Sequence, residues 1–201
     1  MATITFLTGT MSSGKTTHLL QTHFNLESAY PDQVLLINRH DRMGESVCSS
    51  RMGGVALSTG VKPDDSIVQL IDSHNHTNQT SLKFLFVDEA QFLSLEQVDE
   101  LVEIADLKNI EVFAYGLLTS YKGNLFTATA RILEVCDKIV QLDNQMRCWC
   151  GEHATHNALF IEGQPASSGG DEVIDNSTLV EYQVMCRRHF MAHRRLQVAG
   201  R

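Results

Sequence analysis

Three short stretches hold residues whose types and spacing could do chemistry. The first is GTMSSGKT, residues 9–16, lying between the β-rich run TITFLTG and a run with leucines and aromatics at helical spacing. It matches G-x-x-x-x-G-K-[ST] in the strand-then-helix context that motif requires. Gly9 and Gly14 permit the tight backbone path, and the amides of Thr10, Met11, Ser12, Ser13 and Gly14 wrap phosphate oxygens. The helix N-terminus adds its positive end. Lys15 reaches the outer phosphates, and the Thr16 hydroxyl is placed to bind Mg²⁺. A bound nucleoside triphosphate follows as the expectation.

The second stretch is FVDEAQFL, residues 86–93, where an apolar strand ends in two adjacent carboxylates. Asp88 suits the metal partner of a phosphate loop. Glu89 fits two roles, activating a water as in a motor ATPase or taking a proton from a substrate hydroxyl as in a kinase. A helicase-type motor needs a second motor domain, and too little chain follows residue 142 to build one.

The third is the pair CWCG and CRRH, giving Cys148, Cys150, Cys186 and His189. Zinc takes four thiolate or imidazole ligands in a tetrahedron, and two short pairs brought together by a hairpin supply them. The first pair is C-x-C, tighter than the commoner C-x₂-C, so His153 or His156 could replace one cysteine. A closed site of this kind is structural, and its binding energy would fold the segment that holds it. Cys48 and Cys136 match no partner pattern and read as free thiols; His74 and His76 read as surface-loop residues.

The elements that must position these groups alternate. Strand-like runs at TITFLTG, QVLLINR, KFLFVDEA, IEVFAYGLL and DKIVQL are separated by helical patterns. Helices are expected over 64–74, ended by the tract HNHTNQT, over 94–108 with an S-x-x-Q capping signature, and over 125–136. Residues 40–60, polar and glycine-containing, read as a loop or a partly ordered excursion. The pattern predicts an α/β fold: a P-loop, RecA-like, mostly parallel sheet flanked by helices over 1–142. Over 143–201 the texture changes to cysteines, histidines, glycines and short strand-like fragments, which predicts a small C-terminal zinc-binding lobe.

Net charge of −8 argues against wrapping nucleic acid, since phosphate neutralisation needs clustered lysine and arginine. The basic cluster CRRHFMAHRRL reads as a solvated helix face. No apolar run reaches the roughly 18 residues of a membrane span. MATITFLTGT lacks the features of a signal peptide, and five cysteines argue for thiols or metal ligands, so a cytoplasmic location is expected.

Taken together, GTMSSGKT, FVDEAQF, AYGLLTSYKGNLF and CWCGEHAT…VEYQVMCRRH resemble the type II thymidine kinase family, in the family's order and over nearly the whole chain. The resemblance implies an ATP- and Mg²⁺-dependent transfer of phosphate to the 5′-hydroxyl of thymidine, with Glu89 as general base. It places Asp88, Gln91, Asp41 and Arg42 on the nucleotide side, with Arg51 a further candidate arginine. Met11, Leu117, Tyr121 and Phe126 would surround the pyrimidine, and Tyr182 would hold the sugar. A lasso loop over 160–182, anchored at both ends by a structural Zn²⁺ site, would cover the nucleoside; at VIDNSTLVEY it is longer than the common V-I-G-G form. A homotetramer with dTTP as feedback inhibitor is also implied. The alternatives are a kinase for another deoxynucleoside, or a zinc-containing ATPase module that remodels nucleic acid or protein.

Overall fold

Strands that are apolar on both faces must be covered on both faces, which parallel strands joined by helical crossovers achieve. The computed structural model, which describes residues 1–39, 47–142, 146–166 and 180–199, takes this form. In chain order its first part comprises β1 (Ile4–Thr8), α1 (Lys15–Ala29), β2 (Val34–Asn38), β3 (Val47–Ser49), β4 (Val55–Leu57), β5 (Thr59–Gly60) and α2 (Ile67–Asn78). There follow β6 (Phe84–Asp88), α3 (Leu95–Asp106), β7 (Glu111–Gly116), α4 (Thr127–Val135) and β8 (Lys138–Gln141).

The central sheet has the order β5-β2-β6-β7-β1-β8, and each of its pairings is parallel. Because all strands point one way, the segments leaving β1, β6 and β7 emerge at one edge, with Thr8 opposite Gly116 and Val87 opposite Ala114. Side chains alternate between two cores. Leu85 and Val87 of β6 face the helices α2, α3 and α4, through Ile67, Leu101 and Ile132. Phe86 faces α1 through Leu19 and Leu20, and stacks on Phe113 at 5.0 Å between ring centroids.

Helix α3 starts where its capping signature places it. The Ser94 hydroxyl accepts the Gln97 amide hydrogen while the Gln97 side chain accepts that of Ser94. One expectation is corrected. Helix α2 begins at Ile67 and runs through Asn78, so HNHTNQT does not stop it early and His74 and His76 lie on a helix rather than a loop. Ser66 is its cap, and Glu100 from α3 accepts hydrogen bonds from the Ser66 hydroxyl and the Ile67 amide, so the start is chosen by a tertiary contact. The described residues of 40–60 take the partly ordered form of the two expected. β3 and β4 form an antiparallel hairpin, turned where Ser50 and Gly54 bond across Gly53 at φ 91°, and β5 joins the edge of the central sheet. Strands of two or three residues are too short to show a period of two.

Beyond residue 146 the chain forms β9 (His156–Ile161), β10 (Gln164–Pro165), β11 (Val180–Met185) and α5 (Arg187–Ala199). β9 is central to a small antiparallel sheet, and α5 packs on it with Phe190 stacked on His156 at 4.5 Å. Phe190 and His193 are buried while Arg187, Arg188 and Arg195 are exposed, as expected of a solvated basic face.

Candidate active site

The loop between β1 and α1 is shaped by two glycines for different reasons. Gly14 has φ 76°, a left-handed conformation that a side chain disfavours. Gly9 is required by packing, since a Cβ there would strike the Ser13 hydroxyl and approach the Leu142 carbonyl oxygen at 3.1 Å. Ser12 also lies in the left-handed region, at φ 58°. Lys15 curls back over the loop, its Nζ donating to the carbonyls of Thr10 at 2.9 Å and Gly9 at 3.3 Å. Burial lowers the Lys15 pKa, opposed by the charges of Glu89 and Asp88.

Thr16 and Asp88 meet below the loop, with Thr16 Oγ1 donating to Asp88 Oδ2 at 3.3 Å. Burial, then the neighbouring charge of Glu89, push the Asp88 carboxyl up to about 6. A hydroxyl and a carboxylate converging beside a phosphate loop are the hard oxygen donors that Mg²⁺ prefers, so these residues fit that ion. The Cys48 thiol on β3 donates to the same Asp88 oxygen at 3.2 Å. Burial, then Asp88, drive that thiol far above its ordinary range, so Cys48 is a neutral donor. Neither the spacing nor the composition of residues 40–60 signals this contact, because a hairpin brings Cys48 there.

Glu89 turns the chain sharply out of β6 at φ 53°, unusual for a residue with a side chain. Its Oε2 accepts a 2.6 Å hydrogen bond from Gln91 Nε2. Gln91, expected on the nucleotide side, is buried, and its Oε1 accepts the amide hydrogen of Leu117 at 2.9 Å. Arg51 donates to the Ser12 hydroxyl at 2.9 Å, which brings this arginine onto the phosphate loop. Asp41 and Arg42 lie outside the described residues.

The residues expected around the nucleoside fall into four groups. Leu117 leaves β7 with both peptide groups engaged, its carbonyl accepting from Thr129 Oγ1 at 2.9 Å. Phe126 is buried edge-on to Phe92 at 5.6 Å. Tyr121 is buried with Leu159 and Ala166, and Tyr182 packs on that cluster, although the two tyrosines are far apart in sequence. The Tyr121 hydroxyl is buried without a hydrogen-bond partner among the described residues. Met11 joins the loop to the small sheet, its amide donating to Asn157 Oδ1 at 2.8 Å. Asn157 has no motif of its own and escapes a sequence reading. Of the lasso, residues 167–179 lie outside the described set.

Cys148, Cys150, Cys186 and His189 place their donor atoms within 4.8 Å of one another. Cys148 Sγ is 3.2 Å from His189 Nδ1, and Cys150 Sγ is 3.9 Å from Cys186 Sγ. Bonds of about 2.3 Å to zinc give a tetrahedral edge of about 3.8 Å, so the set fits the ion. His153 and His156 are not in the cluster, and His156 is stacked on Phe190 instead. Trp149, between the first two cysteines, lies exposed over the His189 ring at 4.7 Å.

A phosphate loop after β1, the Asp88 carboxylate that meets its threonine from the end of β6, and a second, pinned carboxylate beside it define a P-loop phosphotransferase. A family model described as "Thymidine kinase" matches residues 2–190. The thymidine kinase of Streptomyces avermitilis is 38% identical over 200 residues, spanning 97% of this chain and 90% of the relative. Those of Streptomyces coelicolor and Cutibacterium acnes are 34% and 35% identical over 97% and 94% of this chain, and over 90% and 88% of their own lengths. The chain belongs to the thymidine kinase family.

Proposed function

We propose that this chain transfers the γ-phosphoryl group of ATP to the 5′-hydroxyl of thymidine, giving dTMP in nucleotide salvage. The observation that carries this reading is the position of Glu89. Its carboxylate lies one residue beyond the metal-binding Asp88, held by Gln91 through Oε2, while Oε1 accepts no hydrogen bond from a described residue. A primary alcohol is a weak nucleophile, and a fixed carboxylate both orients it and takes its proton as the transfer proceeds.

Lys15, released from the loop carbonyls, would pair with the outer phosphates, and Arg51 would add charge from the opposite side of Ser12. Thr16 and Asp88 would hold Mg²⁺, which neutralises developing charge on the β- and γ-oxygens. Tyr121, Tyr182, Leu117, Phe126 and Met11 would line the nucleoside side, with Asp41 and Arg42 completing the nucleotide side. Cys148, Cys150, Cys186 and His189 would hold a structural Zn²⁺ that folds a lobe over 143–201 and anchors the lasso. The resemblance also supports a homotetramer inhibited by dTTP. Five cysteines without a disulfide suit a reducing cytoplasm.

Purified protein incubated with ATP, Mg²⁺ and each deoxynucleoside should form dTMP from thymidine. ATP hydrolysis with no nucleoside phosphorylated would overturn the reading. Glu89→Gln should keep ATP binding and lose turnover by roughly 10²- to 10⁴-fold.

A further inference from the structure

The general base must be held, and a glutamate after a tight turn has three side-chain torsions to fix. We infer that Gln91 is the positioning residue that fixes Glu89, and that it does so by bridging the carboxylate to the wall of the nucleoside pocket at Leu117. This inference rests on the reading of Glu89 as the base.

Gln91 is buried, and its two amide ends are divided between two partners. Nε2 donates to Glu89 Oε2 at 2.6 Å, and Oε1 accepts the Leu117 amide at 2.9 Å. Leu117 is itself fixed from its other side, since Thr129 Oγ1, wholly buried on α4, donates to its carbonyl. The chain of bonds Thr129–Leu117–Gln91–Glu89 therefore links α4, the end of β7 and the turn after β6.

Gly116 shows how closely the bridge is fitted. A Cβ there would approach Gln91 Oε1 at 2.8 Å and the Gln91 backbone nitrogen at 3.2 Å. A side chain at the end of β7 would press on the carboxamide and shift it. The fork has one outcome for the base. A carboxylate that accepts from Gln91 through Oε2 presents Oε1 outward, and its orientation is set by the residue expected to touch the pyrimidine. Neither end of Gln91 reaches the phosphate loop, so the bridge acts on the acceptor side of the reaction rather than on ATP.

The test is a double-mutant cycle with ATP affinity as the check on folding. Gln91→Met keeps the length of the side chain and removes both bonds. It should lower kcat by roughly 30-fold, because a small misplacement of a catalytic group costs up to about 10²-fold, and should leave the Kd for ATP within about twofold. Gln91→Glu, which keeps the acceptor for Leu117 and loses the amide donor, should also slow kcat while binding ATP normally. It decides the matter if Gln91→Met fails to bind ATP. Because Gln91 acts through Glu89, the pair Gln91→Met with Glu89→Gln should be no slower than Glu89→Gln alone. Wild-type turnover by the Gln91 variants, or losses that multiply in the pair, would overturn the inference while leaving Glu89 as base. Full turnover by Glu89→Gln would remove the base assignment, and this inference with it.

Discussion

The backbone amide of Met11, in the middle of the phosphate loop, donates to the side chain of Asn157 at the heart of the small antiparallel sheet, 2.8 Å away. Two parts of the chain separated by 146 positions thus share one partly buried polar contact. Asn157→Ala leaves the Met11 amide without its partner, and loss of such a hydrogen bond costs about 1 kcal/mol. The expected result is a melting temperature lower by several degrees and an ATP affinity weakened several-fold, read by thermal melts and nucleotide titration. Asn157→Asp, which keeps an acceptor oxygen, should recover most of the melting temperature.

Asp88 should destabilise the nucleotide-free protein at neutral pH. Its folded value of about 6 lies above the ordinary 3.8, chiefly through burial. A raised carboxyl favours the folded state fully only below the unfolded value, and that advantage is lost as pH rises through about 6. Asp88→Asn removes the buried charge and should raise stability more at pH 8 than at pH 5. Melts of the metal-free variant at both pH values check this, and phosphoryl transfer should be lost throughout.

Arg51 offers a contrast between function and stability. It is exposed and bonds only to the Ser12 hydroxyl among the described residues, so Arg51→Ala should leave the melting temperature nearly unchanged. If its guanidinium turns to the phosphates, the KM for ATP should rise by roughly tenfold with little change in that for the nucleoside. Steady-state kinetics in each substrate separates the two.

The metal cluster makes a prediction that needs no activity measurement. Cys150→Ser should lower the zinc bound per chain, measured by atomic absorption, and should destabilise the segment from β9 to α5 toward proteolysis. His153→Ala and His156→Ala should each retain the metal, because neither histidine lies in the cluster.

Much of this architecture is legible from residue order. The glycines and lysine of the phosphate loop, the acid pair, the Ser94 cap and the two halves of the Cys148, Cys150, Cys186 and His189 cluster are local or short-spaced patterns, and local patterns report local physics. The strands of the hairpin bearing Cys48 are not legible in the sequence because three-residue strands carry no periodic signal. The start of α2 was misplaced because Glu100, on another helix, selects it.

Sequence by itself determined a P-loop protein with an acid pair and a C-terminal cysteine and histidine set that could hold a metal, since those features are written as fixed spacings of reactive side chains, and the resemblance of four motifs in order pointed to the thymidine kinase family. Only the tertiary structure decided what surrounds those side chains. Gln91 bonds both Glu89 and Leu117, Cys48 reaches Asp88, and Asn157 holds the phosphate loop. Apart from the local bond between Glu89 and Gln91, each is a hydrogen bond between residues far apart in sequence that the fold makes neighbours. Such a bond has no spacing to be recognised by until the sheet has closed around it.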